Sequence, residues 1–567
     1  MVFPRSKEAK AGAKGGKEAK VDDLAPAFLP ERRSVYVRTF GCAHNQSDSE
    51  YMAGLLSAEG YVVSVDADDA DAADAWLINS CTVKDPSQAA FARVVNEGLA
   101  QGKAVVVAGC VPQAQRSMVK DQPEWAKVSM VGVKQLGRVG EAVEASLRGE
   151  SLSALGCGTG LPSLELPKVR RNDLVEVIPL SSGCLGACTY CKTRHARGKL
   201  GSYPLEAIEH RVLGALEDGV AEIWLSSEDT GAYGIDLGTS LGALLDRIVP
   251  HLSASRQGAM LRVGMTNPPF ILDQLDAVAR ALNAPSVYAF MHVPVQSGSD
   301  RILGKDRMNR EYDRNGFESV CDGLAERVST HVTVATDLIC GFPGETDADF
   351  DATMTLVQKY RFGTCNISQF YARPGTPAAA MRPRVPTAVV KQRSRALSIL
   401  VNGLEPYVGL VGTVVECHAC ADFADGGIRL VAHTKNYTKV LVAFDRRLCG
   451  ASFRVRVLKA HRWHVDAELI TVIRQADAEN RPALRAALQA MDKELAKLEA
   501  KKVPARREAA PAQTAPAQTA PAQTGWQAGG RHAVAAGGAV VVLACLAQLA
   551  WTSDAAAMLF GGLEIVS

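Results

Sequence analysis

Three short apolar runs in the first part of the chain end in a cysteine, and that recurrence limits the fold more than any other feature. Val35-Tyr36-Val37-Arg38-Thr39-Phe40-Gly41 leads into Cys42, Trp76-Leu77-Ile78-Asn79-Ser80 into Cys81, and Ala104-Val105-Val106-Val107-Ala108-Gly109 into Cys110. The intervals, 39 and 29 residues, are each about one strand–helix unit. Apolar runs alternate with helical patterns from about Ser34 to Gly149, which predicts a parallel sheet. The carboxyl ends of strands in an open parallel sheet share one edge, where ligands bind. Three cysteines far apart in sequence can therefore converge. Three buried structural cysteines are the alternative, because free cysteine is often buried. Gly41 and Gly109 suit tight turns that tolerate little side chain.

A second cysteine group is compact. In Ser181-Ser182-Gly183-Cys184-Leu185-Gly186-Ala187-Cys188-Thr189-Tyr190-Cys191 the spacing is C-x3-C-x2-C. Three such thiolates can hold a [4Fe–4S] cluster and leave its fourth iron without a protein ligand. A zinc knuckle would repeat C-x2-C pairs or add histidines at matching spacing, and only His195 lies close by. Leu174–Leu180 places the triad on a loop leaving a strand. Five more strand-like runs follow: Ala221–Leu225, Met260–Gly264, Val287–Val293, His331–Ile339 and Thr364–Phe370. With helical stretches between them, they predict six βα units curled into a partial barrel. Function in such barrels sits on the loops after the strands. Here those loops, Ser226–Gly234, Met265–Pro269, Pro294–Asp300 and Cys340–Thr346, offer carboxylates, amides and hydroxyls to a zwitterionic, ribose-bearing cofactor.

At 567 residues the chain is long enough for several domains. Fourteen cysteines with no signal peptide fit free thiols in a reducing compartment better than a disulfide framework. A net charge of +2 neither favours nor excludes a nucleic-acid partner, so any such surface is local. Residues 1–33 read as a solvated basic tail, 34–149 as the first α/β domain, and 150–172 as a polar connector with a spare thiol, Cys157. The partial barrel occupies 173–402. From 403 to 471 short alternating runs predict a small antiparallel barrel. Between Arg429 and Arg462 nine Lys/Arg stand against one acid, Asp445, with Tyr437 and Phe444 interleaved. Charge for phosphates and rings for bases point to RNA, with Lys435, Lys439, Arg446 and Arg447 as contacts; a solvated strand face is the alternative. Cys417 and Cys420 form a lone C-x2-C, read as incidental. Residues 472–531 read as one solvated helix and a Pro-Ala-Gln-Thr-Ala spacer that cannot form a core. Ala533–Trp551 is nineteen residues without a formal charge, within a candidate membrane span at 532–553. An Ala/Gly-rich disordered end is the alternative.

The C-x3-C-x2-C triad, with Tyr190 before its last cysteine, resembles the radical S-adenosylmethionine (SAM) enzymes. Thr39–Glu50, Asn79–Val83 and Gly109–Gln113 resemble the amino-terminal domain of the methylthiotransferases, with Ser80 where that family usually has threonine. Glu228–Gly234 and Met265–Pro269 resemble the archaeal and eukaryotic branch that acts on threonylcarbamoyladenosine in tRNA. The position of the small barrel, and His433-Thr434-Lys435, resemble the TRAM domain that ends the family. The resemblance spans roughly Ser34 to Ile470.

It implies two [4Fe–4S] clusters and two SAM molecules. The Cys184/Cys188/Cys191 cluster would bind SAM and cleave it to methionine and a 5′-deoxyadenosyl radical. The Cys42/Cys81/Cys110 cluster would hold a sulfur that a second SAM methylates. The target would be C2 of threonylcarbamoyladenosine beside the anticodon. Tyr190, Glu228, Asp229, Gln296, Ser297 and Asp337 would contact SAM, and an unidentified electron donor and sulfur source would be needed. Some eukaryotic members also look tail-anchored at the endoplasmic reticulum with their catalytic domains in the cytosol. The rivals are methylthiolation of isopentenyl-adenosine or of a ribosomal-protein aspartate, and a non-catalytic, membrane-tethered RNA-binding iron–sulfur scaffold. Intact triads argue against the scaffold, the basic barrel against a protein substrate, and the branch-like loops against isopentenyl-adenosine.

Overall fold

The computed structural model describes residues 33–502 apart from 83–84, 157–159, 256–257, 426–427 and 477–480. Nearly all of the basic tail, Cys157, the repeat spacer and the apolar segment 532–553 lie outside these residues.

The first unit is a sheet of β1 (Ser34–Thr39), β2 (Val62–Ser64), β3 (Ala75–Ser80), β4 (Ala104–Gly109), β5 (Ser129–Gly132) and β6 (Ser153–Ala154). Their order is 2-1-3-4-5-6 and every pair is parallel. Helices cover both faces, so β3 is buried along its whole length, as its unbroken apolar run requires. Trp76, Phe91 and Trp125 pack on one side, and Met52, Leu77 and Val143 on the other. Because β1, β3 and β4 are neighbours, the three cysteines leave adjacent carboxyl ends.

The second unit contains β7 (Val175–Pro179), β8 (Ser181–Ser182), β9 (Gly201–Ser202), β10 (Glu222–Ser226), β11 (Met260–Arg262), β12 (Phe290–His292), β13 (Thr333–Cys340) and β14 (Thr364–Gln369). Strands 7, 10 and 11 form one parallel ladder and 12, 13 and 14 another, joined by a single bridge, Leu261 to Val287. All six expected strands are present. The short antiparallel ribbon β8–β9 was not expected; it brackets the second cysteine loop.

The third unit is a closed five-stranded barrel of β15 (Val414–Ala424), β16 (Arg429–Thr434), β17 (Lys439–Ala443), β18 (Ser452–Ala460) and β19 (Val465–Arg474). One ladder corrects the antiparallel expectation. After β17 the chain crosses to pair β18 with β15, so β19 returns beside β17 in the same direction.

The helix expected to be solvated is packed, and so is part of the polar connector. The helix Pro482–Lys502 buries Leu484, Ala487 and Met491, with Leu488 against them, a one-face stripe docked on the barrel. The connector buries Leu164 and the Lys168 side chain.

The barrel is held on the amino ends of the second unit's strands. Lys435 Nζ donates to the carbonyls of Leu282 (2.8 Å) and Ala284 (2.6 Å), and to that of Val287, just before β12. Arg462 donates to the carbonyls of Phe362 (3.2 Å) and Gly363 (2.7 Å), just before β14. The first two units are joined through the helix Ala43–Ala58, whose polar first half, His44 to Glu50, is buried. Lys168 pairs with Glu50 (3.0 Å) from that helix and with Glu176 (2.8 Å) on β7, and Glu176 also meets Arg170 and Arg211. Burial alone would raise the Glu176 pKa, but the three cations outweigh it and hold it at about 2. Its stabilisation is therefore full above the ordinary glutamate range and is lost as pH falls toward 2.

Glu176→Gln removes the shared counter-charge of Lys168, Arg170 and Arg211, and is expected to cost about 3 kcal/mol of unfolding free energy at neutral pH, since Lys168 keeps Glu50 and Arg170 keeps Asp218. In urea melts the gap to wild type should close as pH is lowered from about 5 to 2, because wild type loses the same charge by protonation.

Candidate active site

Cys42, Cys81 and Cys110 from the first unit and Cys184, Cys188 and Cys191 from the second line one cavity of about 540 Å³. All six are free thiols. Burial first, and the Cys81 thiol second, push Cys42 up to about 12; burial and Asp229 do the same to Cys184. Without a metal the Cys42 and Cys184 thiols keep their protons, and a metal that displaces those protons turns them into ligands. Small residues line the turns beside them. A Cβ on Gly41 would stand 2.5 Å from Cys81 Cβ and 2.8 Å from its Sγ. Gly186 keeps open the space beside Cys184 and Cys188, where a Cβ would reach 3.6 and 3.7 Å from their Sγ atoms. Two sets of three thiolates, with no imidazole among them, fit [4Fe–4S] clusters.

Four of the six residues expected at SAM line this cavity. The Tyr190 hydroxyl accepts from Arg310 Nη1 at 3.2 Å. Gln296, at φ 70°, exchanges backbone hydrogen bonds with Asp337 and Ile339. The Asp337 carboxylate accepts from Asn366 Nδ2 at 2.8 Å and meets His292 Nε2 at 3.0 Å. Glu228 also reaches the wall, but its carboxylate accepts from the Gly183 N–H (2.9 Å) and from Arg197 Nε (2.9 Å). Burial, opposed by Arg197, pushes it up to about 7.

Two expectations are corrected. Asp229 lies behind the wall and accepts from the Asn267 N–H (3.2 Å) and Nδ2 (2.6 Å), so it positions the loop after β11. Ser297 turns away: its Oγ accepts from the Ser299 N–H at 3.2 Å and meets Thr353 at 3.5 Å. The left-handed turn at Gln296 sends the next side chain away from the cavity and onto Thr353.

The cavity also carries cations that no sequence motif announces. Arg310 Nη1 donates to Cys188 Sγ at 2.9 Å while Nε donates to the Tyr312 hydroxyl at 3.0 Å. Arg197 is buried beside Glu228, and Lys192 and Arg373 form part of the wall between the two triads. Only the basic stretch Lys192–Lys199, directly after Cys191, hinted at them.

Of the four expected RNA contacts one, Lys435, is corrected, while Arg446 and Arg447 stay more than half exposed. Lys435 is consumed by carbonyls of the second unit, Arg446 pairs with Asp492 of the last helix, and Arg447 pairs with Asp445 at 2.6 Å. Lys439 is half-buried. Tyr437 stacks on His433 with centroids 4.3 Å apart and meets Tyr288 at 4.8 Å, so its ring is spent on packing. Arg454, Arg456 and Lys459 on β18 are exposed as well, with Arg456 3.5 Å from Glu468.

Comparison with known proteins matches residues 34–131 to Uncharacterized protein family UPF0004 and residues 178–357 to the Radical SAM superfamily. A Drosophila melanogaster protein named threonylcarbamoyladenosine tRNA methylthiotransferase is 48% identical over 452 residues, 78% of this chain and 79% of that one. The Homo sapiens protein of that name is 45% identical over 439 residues, 76% of this chain and 73% of its own. A Pyrococcus abyssi protein, named as a probable enzyme of this kind, is 36% identical over 429 residues, 75% of this chain and 96% of its own. The chain belongs to the radical SAM methylthiotransferases. As a radical SAM methylthiotransferase it is an enzyme that uses SAM and [4Fe–4S] chemistry, and the cavity that joins both triads is its candidate site.

Reconstituted without oxygen, this methylthiotransferase is expected to hold about eight irons per chain. Cys184→Ala should halve the iron and stop SAM cleavage. Cys81→Ala should halve the iron yet leave SAM cleavage measurable; its loss in a folded Cys81→Ala protein would contradict the division of labour between the triads.

Proposed function

We propose that the enzyme methylthiolates C2 of N6-threonylcarbamoyladenosine beside the anticodon of tRNA. The observation that carries this reading is the single cavity onto which both triads open. A substrate carbon placed there lies between the site of SAM cleavage and the site of sulfur. Bound clusters and SAM would supply the radical and the sulfur chemistry; the protein supplies aim and dryness. Tyr190, Gln296 and Asp337 offer SAM a hydroxyl, an amide and a carboxylate, while Met265, Phe270, Ile339 and Ile367 exclude water.

Relatives named for threonylcarbamoyladenosine support the substrate, and so does one side chain on the wall. The buried Lys192 amino group donates to the Pro374 carbonyl at 2.7 Å, and burial and Arg373 hold its pKa below the ordinary lysine value. A threonyl carboxylate would give that ammonium a counter-charge, whereas an isopentenyl group would not. The last barrel is read as a TRAM domain that grips RNA through Arg454, Arg456 and Lys459. Residues 532–553 are read as a tail anchor in the endoplasmic reticulum membrane, supported by the uncharged run Ala533–Trp551 with Arg506, Arg507 and Arg531 before it. Among the described residues no helix is long and apolar enough to cross a membrane.

Mass spectrometry of tRNA nucleosides tests the reading. Cells lacking the protein should lose 2-methylthio-N6-threonylcarbamoyladenosine and accumulate its precursor, and an unchanged nucleoside profile would overturn the assignment. Lys192→Met should weaken binding of the threonylcarbamoylated anticodon stem-loop about tenfold, the scale of one charge-assisted hydrogen bond, and leave binding of the unmodified stem-loop in place.

A further inference from the structure

Each triad has an arginine close by that its own turns do not supply. For Cys188 it is Arg310. The other, Arg197, follows Cys191 by six residues in the radical SAM unit but faces the first unit. Its Nη2 donates to Asn45 Oδ1 (2.7 Å) and Asp48 Oδ2 (2.6 Å) on the helix Ala43–Ala58. Asn45 touches all three turns that carry the first triad. Its Nδ2 donates to the carbonyls of Phe40, two residues before Cys42, and Ser80, one before Cys81, each at 2.9 Å; its Oδ1 lies 3.6 Å from Cys110 Sγ.

We propose that Arg197 is a positioning residue for the cluster read into Cys42, Cys81 and Cys110. Reaching across from the radical SAM unit, it locks Asn45 over the three cysteine turns and places a buried positive charge beside their thiolates. That cluster then reaches its working geometry and potential only when the two units are docked. The inference rests on the reading that this triad holds a cluster. Three thiolates leave such a cluster net negative, and a nearby cation eases the addition of an electron.

The test uses the full chain with one triad removed at a time. With Cys184, Cys188 and Cys191 replaced by Ala, the remaining cluster should load about four irons and give a midpoint potential by redox-poised electron paramagnetic resonance. Arg197→Met in that background should shift the potential to more negative values, and Arg197→Lys should restore most of the shift. In the converse background, with Cys42, Cys81 and Cys110 replaced, Arg197→Met should leave the potential of the other cluster in place. If Arg197→Met fails to load iron while Arg197→Lys loads it, the need for the charge is upheld. Equal loss of loading in both variants, an unshifted potential in Arg197→Met, or equal shifts in both backgrounds would overturn the inference. Absence of iron in the first background before any change at Arg197 would instead defeat the reading that this triad holds a cluster.

Discussion

Two open parallel sheets meet here by their carboxyl edges, and the remaining architecture depends on keeping that meeting in register. The edge of a parallel sheet collects whatever its strands end in; the first sheet gathers three cysteines from three strands, and the second carries three on the one loop between β8 and β9. An apolar contact would hide surface but would let the edges slide. The chain uses buried charge instead: Lys168 between Glu50 and Glu176, and Arg197 between Asp48 and Glu228. Buried ions are costly to desolvate and poor sources of net stability. Their geometry is nevertheless exacting, since a displaced edge would leave charges unpaired. On this account the helix Ala43–Ala58 has a polar first half because it is the key between the units.

The third unit follows a different logic. Its barrel sits at the amino ends of the second unit's strands, opposite the cavity, held by Lys435 and Arg462 in carbonyl cages. An RNA surface on β18 would therefore act far from the reacting carbon. Affinity and chemistry would be carried by opposite ends of the same central unit, and substrate choice would be left to the cavity wall.

How much could be read from the chain follows from how local each cause is. Strands such as Ala75–Ser80 and Ala104–Gly109 were legible because burial on both faces demands an apolar run, and the turn beyond demands glycine or a small residue. Both triads were legible because cluster ligands need thiols at set places. The roles of basic residues were not. Lys435 inside a carbonyl cage and Arg456 in solvent look alike in composition, and the difference lies in residues some 150 positions away. Arg197 and Asp48 are likewise 149 positions apart. The stripe Leu484, Ala487, Leu488 and Met491 was visible in the sequence but was outweighed by the charged residues around it. Ser297 was not legible because the backbone turns left-handed at Gln296, and nothing in the motif announces that turn.

The central claim is that the two triads share one cavity, so that the radical and the sulfur meet on a single substrate carbon. Electron paramagnetic resonance of the reconstituted, doubly reduced enzyme tests it most directly. Neighbouring paramagnetic clusters should broaden each other's signals and speed each other's relaxation. The wild-type spectrum should therefore differ from the sum of the spectra of the two single-cluster variants. A wild-type spectrum equal to that sum, with both clusters fully loaded and reduced, would contradict the account.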